Sequence, residues 1–270
     1  MRLVSVTPAI VLRSRPFGES DKIVTFLSKE HGKVTGIAKG AKRSRRRFAN
    51  TLELFSLVNL CFQERPHTSL VFIHACDWIR VFKDLTTNLQ KIAHASYLLE
   101  MTDEFTRERE ENRALFEHLK QGLITIEEKG PSLSFLTIFE MRLLGLAGYQ
   151  PVLDRCRRCR KKRAGVGSES QGGDFEVARS NPEAQWRFSP RDGGILCEAC
   201  SDFRKESFPL SQETINALAW LQEQDPVPTL RLNLSLSALK EARFILPHFI
   251  QYQINKELKS APFLETFSIA

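Results

Sequence analysis

No uninterrupted apolar run in this chain exceeds a few residues. A membrane-spanning helix needs about 20, so no membrane span is expected. Met1-Arg2-Leu3-Val4-Ser5-Val6 passes straight into strand-like sequence, so no signal peptide is expected and the setting is read as a reducing cytoplasm. Catalytic signatures are also lacking. None of His31, His67, His74, His94, His118 and His248 stands in an HxE pattern, which argues against a zinc nucleoside deaminase. There is no HExxH, no GxxxxGK[ST] phosphate loop and no GxSxG elbow. The acidic pairs Glu110-Glu111 and Glu127-Glu128 fall on expected helices, where neighbours diverge by about 100°, so they read as solvated faces. No internal repeat is present. The chain reads as a binder, not an enzyme.

What is present is a pair of short cysteine motifs, Cys156-Arg157-Arg158-Cys159 and Cys197-Glu198-Ala199-Cys200. Each CxxC closes a small loop that holds two sulfurs at about 2.3 Å from a metal, and four thiolates select one tetrahedral Zn²⁺. Four protein ligands leave no open position, so the zinc is expected to be structural. Disulfides, redox pairs or an unmetallated remnant also use CxxC; a reducing compartment disfavours the first. The 37 residues between the motifs (160–196) exceed the roughly 15–20 of a compact ribbon, so an extended excursion is expected. Gly165-Val166-Gly167-Ser168-Glu169-Ser170-Gln171-Gly172-Gly173 reads as its flexible tip. Cys61 and Cys76 lie in alternating apolar runs and read as packing residues.

The chain has 270 residues, 42% of them apolar, and a net charge of +7. That length supports more than one domain. Residues 1–80 carry fourteen cationic against six acidic side chains, and residues 151–206 twelve against nine. The two helical segments are slightly acidic. Positive charge in the first and the cysteine segments marks the footprint of a polyanion.

Residues 1–80 read as five β-strands. Ala9–Arg13, Lys22–Leu27 and Lys33–Ala38 are β-rich and bounded by turns. Leu52–Phe62 alternates with period two, and Ser69–Ile79 gives the fifth. Five strands without a long helix predict a small closed barrel, of oligonucleotide-binding (OB) or SH3-like type. Between the third and fourth strands, six of the nine residues Lys39-Gly40-Ala41-Lys42-Arg43-Ser44-Arg45-Arg46-Arg47 are cationic. Arginine forks suit phosphate oxygens; a solvated loop, or arginines paired to acids elsewhere, is the plainer alternative. Lys39, Lys42, Arg43, Arg45, Arg46 and Arg47 are the candidate nucleic-acid contacts. Phe17, Phe48 and Phe55 are candidates for base stacking or for barrel core.

From about residue 83 the spacing turns helical. Leu85, Leu89, Ile92 and Leu99 form one stripe. Asn112 and Ser132 are placed to cap the next two helices, the second apolar almost all round and ended by Gly148. Ser211 and Ser237 open two more; Asp225-Pro226 stops the first, and Pro247 is expected to bend the second. The expected fold is α+β and multidomain: an OB barrel over 1–80, a helical domain over 81–150 and 207–270, and a four-cysteine zinc knuckle inserted at 151–206. The cations around the first cysteine pair, Arg155, Arg157, Arg158, Arg160, Lys161, Lys162 and Arg163, are either solvated or auxiliary DNA contacts.

The order of these parts resembles the bacterial RecO family of recombination mediators. Glu19-Ser20-Asp21-Lys22-Ile23-Val24 and the stretch from Gly32-Lys33 to Ala38-Lys39-Gly40 are similar to that family's opening strands. Gly148-Tyr149-Gln150-Pro151 before Cys156, and Phe188-Ser189-Pro190 with Gly193-Gly194-Ile195-Leu196-Cys197, resemble its approach to and return from the zinc. The long spacer departs from the tightest versions of the pattern. The resemblance implies a non-enzymatic role in DNA repair: binding single- and double-stranded DNA, annealing complementary strands, and acting with RecR to load RecA onto strands coated by single-stranded-DNA-binding protein (SSB). It further implies contact with the acidic SSB C-terminal tail through the helical domain, one structural Zn²⁺, and a bacterial cytoplasmic location, at the nucleoid during repair. A zinc-ribbon RNA-binding or translation-associated factor is the alternative from another class.

Overall fold

The computed structural model describes residues 4–44, 46–163, 185–201, 206–223 and 234–267. Its contacts divide the chain into two compact units, Met1–Pro131 with Leu258–Ala270, and Ser132–Glu257.

The first unit opens with five strands: β1 (Val4–Phe17), β2 (Asp21–Ser28), β3 (Gly32–Ala38), β4 (Ser56–Gln63) and β5 (Val71–Val81). They close into a barrel in the order β1-β2-β3-β5-β4, with β4 returning to β1. Every pairing is antiparallel except β3–β5, which runs parallel through Gly36↔Val71 and Ile37↔Phe72. This crossed order is the OB barrel, and it decides between the two barrels that strand number alone leaves open.

Period-two alternation builds the interior. Val24 and Phe26 on β2, Val58, Leu60 and Phe62 on β4, and Val71 and Ile73 on β5 all point into one core. β1 pairs with β4 through Val4–Ile10 and with β2 through Ala9–Phe17, and its register against β2 shifts between Val11 and Arg13, a bulge that bends the long strand. Gly36 permits the parallel closure. A Cβ there would lie 2.6 Å from Val71 Cγ2 and 2.8 Å from Ile73 Cγ1, so any side chain would push β5 away. The fourth strand begins at Ser56, not at Leu52 as expected. Phe55 takes φ 63, which ends the extended run, and Leu52 and Phe55 turn into the core instead.

Helix α1 (Leu89–Phe105) follows a short 3-10 turn and is capped by Asn88, whose side chain accepts from the N–H groups of Gln90 and Lys91. α2 (Arg113–Lys129) is capped by Asn112 as expected, through a 2.9 Å bond from Leu115 N–H. Ion pairs fasten α1 to the barrel: Arg13 reaches Asp103 and Glu104, and Lys33 Nζ lies 3.1 Å from Asp103 Oδ1. The loop after α1 lies along β3, with Arg109 N–H donating to the Lys33 carbonyl at 3.0 Å. Glu110 and Glu111 therefore sit in this loop and not on a helix. Glu127 also departs from the expected solvated face. It is nearly buried, and with Glu128 it holds Arg80 at 2.8 and 3.1 Å.

In the second unit, Ser132 caps α3 (Leu133–Leu146), which is buried on almost every side, as its sequence predicts. α4 (Gln212–Glu223) starts at Ser211, whose hydroxyl accepts from Thr214 N–H. α5 (Leu236–Ile254) is capped by Ser235 and not by Ser237, because the Ser235 hydroxyl takes the Ala238 N–H at 3.1 Å. α5 continues through Pro247. Inside the unit, Glu140 on α3 is fully buried and paired with Arg243 on α5. A small sheet absent from the sequence expectation, β6 (Trp186–Ser189), β7 (Gly194–Leu196) and β8 (Phe208–Leu210), has the order β7-β6-β8. Phe188 packs edge-on against Phe249 of α5 at 5.4 Å. α6 (Ala261–Thr266), also unforeseen, belongs to the first unit. The glycine-serine tip at 165–173, the Asp225-Pro226 stop and Arg45 lie outside the described residues. Among the described residues, no helix is long and apolar enough to cross a membrane.

Candidate nucleic-acid interface and metal centre

The cationic segment leaves the end of β3 and is built onto the turn between β1 and β2. Gly40 adopts φ 69 and directs its N–H at Asp21 Oδ1, 2.8 Å away. A 3-10 turn over Ala41–Arg43 follows. Lys42 N–H donates to the Ser20 carbonyl at 2.9 Å and Lys42 Nζ to the Gly18 carbonyl at 2.8 Å. Arg47 closes the far side: its Nη2 donates to the Lys39 carbonyl at 2.9 Å, its guanidinium lies 5.1 Å from the Phe48 ring, and its carbonyl accepts from Cys76 N–H on β5. Ala41 and Phe48 plug into the barrel core. The loop is therefore braced at both ends.

The bracing sorts the cations. Lys42 and Arg47 each use donors to hold the loop's shape. Lys39, Arg43 and Arg46 are exposed and, among the described residues, their side chains form neither ion pairs nor hydrogen bonds. Among the described residues none of the five cations is paired with an acid, so the alternative of arginines neutralised elsewhere in the fold finds no support. Asp21 is the residue that sequence reading missed. The Gly40 N–H, then the Ser20 hydroxyl, hold its carboxyl below the usual carboxylate range, with Lys39 and Lys42 adding to the effect. Its signal was the acidic residue at the first position of β2, opposite the segment's only left-handed glycine.

The three stacking candidates separate as well. Phe48, 3% exposed, belongs to the barrel core and Phe55 is buried at 7%, whereas Phe17 is 51% exposed at the end of β1.

The four motif cysteines converge. Their sulfurs all lie within 4.8 Å of one another, although 37 residues separate the pairs in sequence. A tetrahedral centre with bonds of about 2.3 Å places its sulfurs about 3.8 Å apart, and Cys159 Sγ stands 3.5 Å from Cys197 Sγ. Backbone bonds aim the set. Arg160 N–H returns to the Cys156 carbonyl, Arg157 N–H pairs with the Ile195 carbonyl of β7, and Cys200 N–H with the Cys197 carbonyl. Cys197 N–H points at Cys156 Sγ at 3.4 Å. Burial opposes ionisation of Cys156, but the N–H groups of Cys197, Cys159 and Arg158 outweigh it and bring the thiol down to about 6. Cys200 is pushed up to about 12, first by its contact with Cys159. All six cysteines are free, so neither motif is a disulfide. A closed set of four sulfurs fits a metal held for structure. Cys76 is buried in the barrel as expected, while Cys61 is half-buried.

Around the cluster, Arg158 donates to Asp192 Oδ1 at 3.2 Å and to the Cys200 carbonyl at 3.3 Å, and Arg157 donates to the Asp192 carbonyl at 2.7 Å. Arg163 is buried against the Leu153 carbonyl and Asn216. These three arginines serve the knuckle's own architecture.

Comparison with known proteins gives matches along nearly the whole chain. Residues 1–82 match the family model described as Recombination protein O N terminal, and residues 86–262 the one described as Recombination protein O C terminal. The chain is 33% identical over 266 residues to the DNA repair protein RecO of Syntrophus aciditrophicus, covering 98% of this chain and 96% of that protein. It is 34% identical over 256 residues to the same-named protein of Anaeromyxobacter dehalogenans, covering 95% and 94%. For the Myxococcus xanthus protein of that name the identity is 33%, covering 95% of both chains.

Proposed function

The chain belongs to the Recombination protein O family, and from that premise we propose that it is a recombination mediator of DNA repair that acts by binding, not by catalysis. The observation that carries the reading is the braced cationic loop: Lys39, Arg43 and Arg46 stand exposed on one end of an OB barrel with no acid partner among the described residues. Such a loop holds sugar–phosphate backbones without reading sequence. Both single- and double-stranded DNA are its ligands. Screening phosphate repulsion while leaving bases free to pair accelerates annealing of complementary strands. The OB barrel of residues 1–80 does this work, with Arg45 as a further phosphate contact. Residues 81–150 and 207–270 recruit partners: RecR, and the acidic C-terminal tail of SSB, so that RecA is loaded onto SSB-coated strands. In the segment 151–206, Cys156, Cys159, Cys197 and Cys200 hold one structural Zn²⁺, which staples the knuckle and takes no part in chemistry. The work takes place in the bacterial cytoplasm, at the nucleoid.

The test is an annealing assay with complementary oligonucleotides, without ATP, on bare and on SSB-coated strands, with and without RecR. We expect faster annealing on bare strands, and RecR-dependent activity on coated ones. An annealing rate unchanged from the spontaneous one sinks the reading. Competition by RNA stronger than by single-stranded DNA would move the protein to the RNA-binding class.

A further inference from the structure

Phosphate contacts alone do not tell a single strand from a duplex, because both present the same backbone groups. A device that prefers unpaired strands needs a group that meets a base face, and such a face is accessible only when the base is unstacked. Exposure divides the aromatic residues of the barrel strands and loops. Phe26, Phe48, Phe55, Phe62 and Phe82 are buried, and Phe72 on β5 is half-buried, edge-on against His74 at 4.8 Å. The exposed ones are Phe17, at 51%, and Trp78, at 40%.

Phe17 is the last residue of β1 and pairs across the turn with Asp21. Asp21 is the residue that receives the Gly40 N–H, and the Gly18 and Ser20 carbonyls of the same turn receive Lys42. Three hydrogen bonds thus tie the turn that carries Phe17 to the start of the cationic loop, and Phe17 itself is 51% exposed. A phenylalanine so exposed contributes less to folding than a buried one, since it removes less apolar area from water. Trp78 differs. It lies beside the exposed acid Asp77 on β5, and its strand is tied to the far end of the loop, through Cys76 and Arg47.

We propose that Phe17 is the base-stacking platform of this interface, the residue that makes the barrel favour unpaired DNA over duplex. The inference rests on the DNA-binding reading above and adds to it the origin of strand preference. The backbone of a single strand lies along Lys39, Arg43 and Arg46, and one base turns inward onto the Phe17 ring.

The experiment compares wild type, Phe17→Ala, Phe17→Trp and Trp78→Ala on a fluorescent single strand and on a duplex of equal length, each over a salt series. A second single strand carries 2-aminopurine, whose emission is quenched by stacking. Phe17→Ala should weaken single-strand binding by between about 5-fold and about 150-fold, the range found for one stacked base. Its duplex affinity should stay within about twofold, and its salt slope should not change, because no phosphate contact is lost. Phe17→Trp should retain affinity and quenching. The proposal is overturned if Phe17→Ala binds the single strand as wild type does, if both ligands weaken equally, or if Trp78→Ala carries the loss instead. Should wild type itself bind no single strand in dilute salt, the functional reading falls with it, an outcome distinct from a normal wild type with an indifferent Phe17→Ala.

Discussion

Replacing Lys39, Arg43 and Arg46 together by Ala removes the cations that the fold does not use for itself, and the loss can be worked from counterion release. A single strand gives up about 0.7 of a counterion for each phosphate neutralised. Three contacts therefore account for about 2.1 units of the slope of log K against log salt. If those contacts are purely electrostatic, the triple variant binds about 500-fold more weakly at 50 mM salt and about 30-fold more weakly at 200 mM. The two affinity curves converge toward high salt, and for a duplex the slope change rises to about 2.7. Lys42 and Arg47 are left in place, so the bonds to Gly18 and Lys39 survive and the loop keeps its shape. Fluorescence anisotropy over a salt series measures the slope, and a thermal melt checks that the barrel is intact. An unchanged slope refutes the assignment of these three residues as phosphate contacts. A loss of equal size at every salt concentration refutes the electrostatic reasoning, since it would mark a damaged fold instead.

Two further outcomes follow from the geometry. Elemental analysis should find about one zinc per chain; Cys156→Ser and Cys197→Ser should both lose it and melt at lower temperature, whereas Cys61→Ser on the barrel should keep it, and metal affinity should rise with pH because bound thiols must shed their protons. Full metal content in either variant would remove the four-sulfur assignment. Gly36→Ala should cost about 1–3 kcal/mol by overpacking against Val71 and Ile73 at 2.6 and 2.8 Å, seen as a lower urea midpoint with an unchanged slope; wild-type stability would mean that β3 and β5 do not close as tightly as described.

Much of the fold was legible because its signals are local. A β-rich run between turns at β2 and alternation along β4 mark strands whichever neighbours they find, and Asn112, Ser132 and Ser211 announce helices through bonds made within three residues. Misreadings came where a local pattern met a non-local decision. The apolar run from Leu52 looks extended until Phe55 turns left-handed and is buried. Glu127 and Glu128 look like a solvated pair until Arg80 from β5 is brought between them. The sheet of β6, β7 and β8 was invisible because strands of three or four residues carry too few alternations to register.

Residue chemistry and spacing alone decided that four thiols were available to one ion and that a run of cations interrupts a β-rich segment. Tertiary structure decided the rest. Strand order chose the OB barrel, since closure through the parallel β3–β5 pair depends on contacts far apart in sequence. Packing chose which phenylalanine stays in solvent and which cations are spent on bracing the loop. These are properties of what surrounds a side chain, and a linear pattern does not contain its own surroundings.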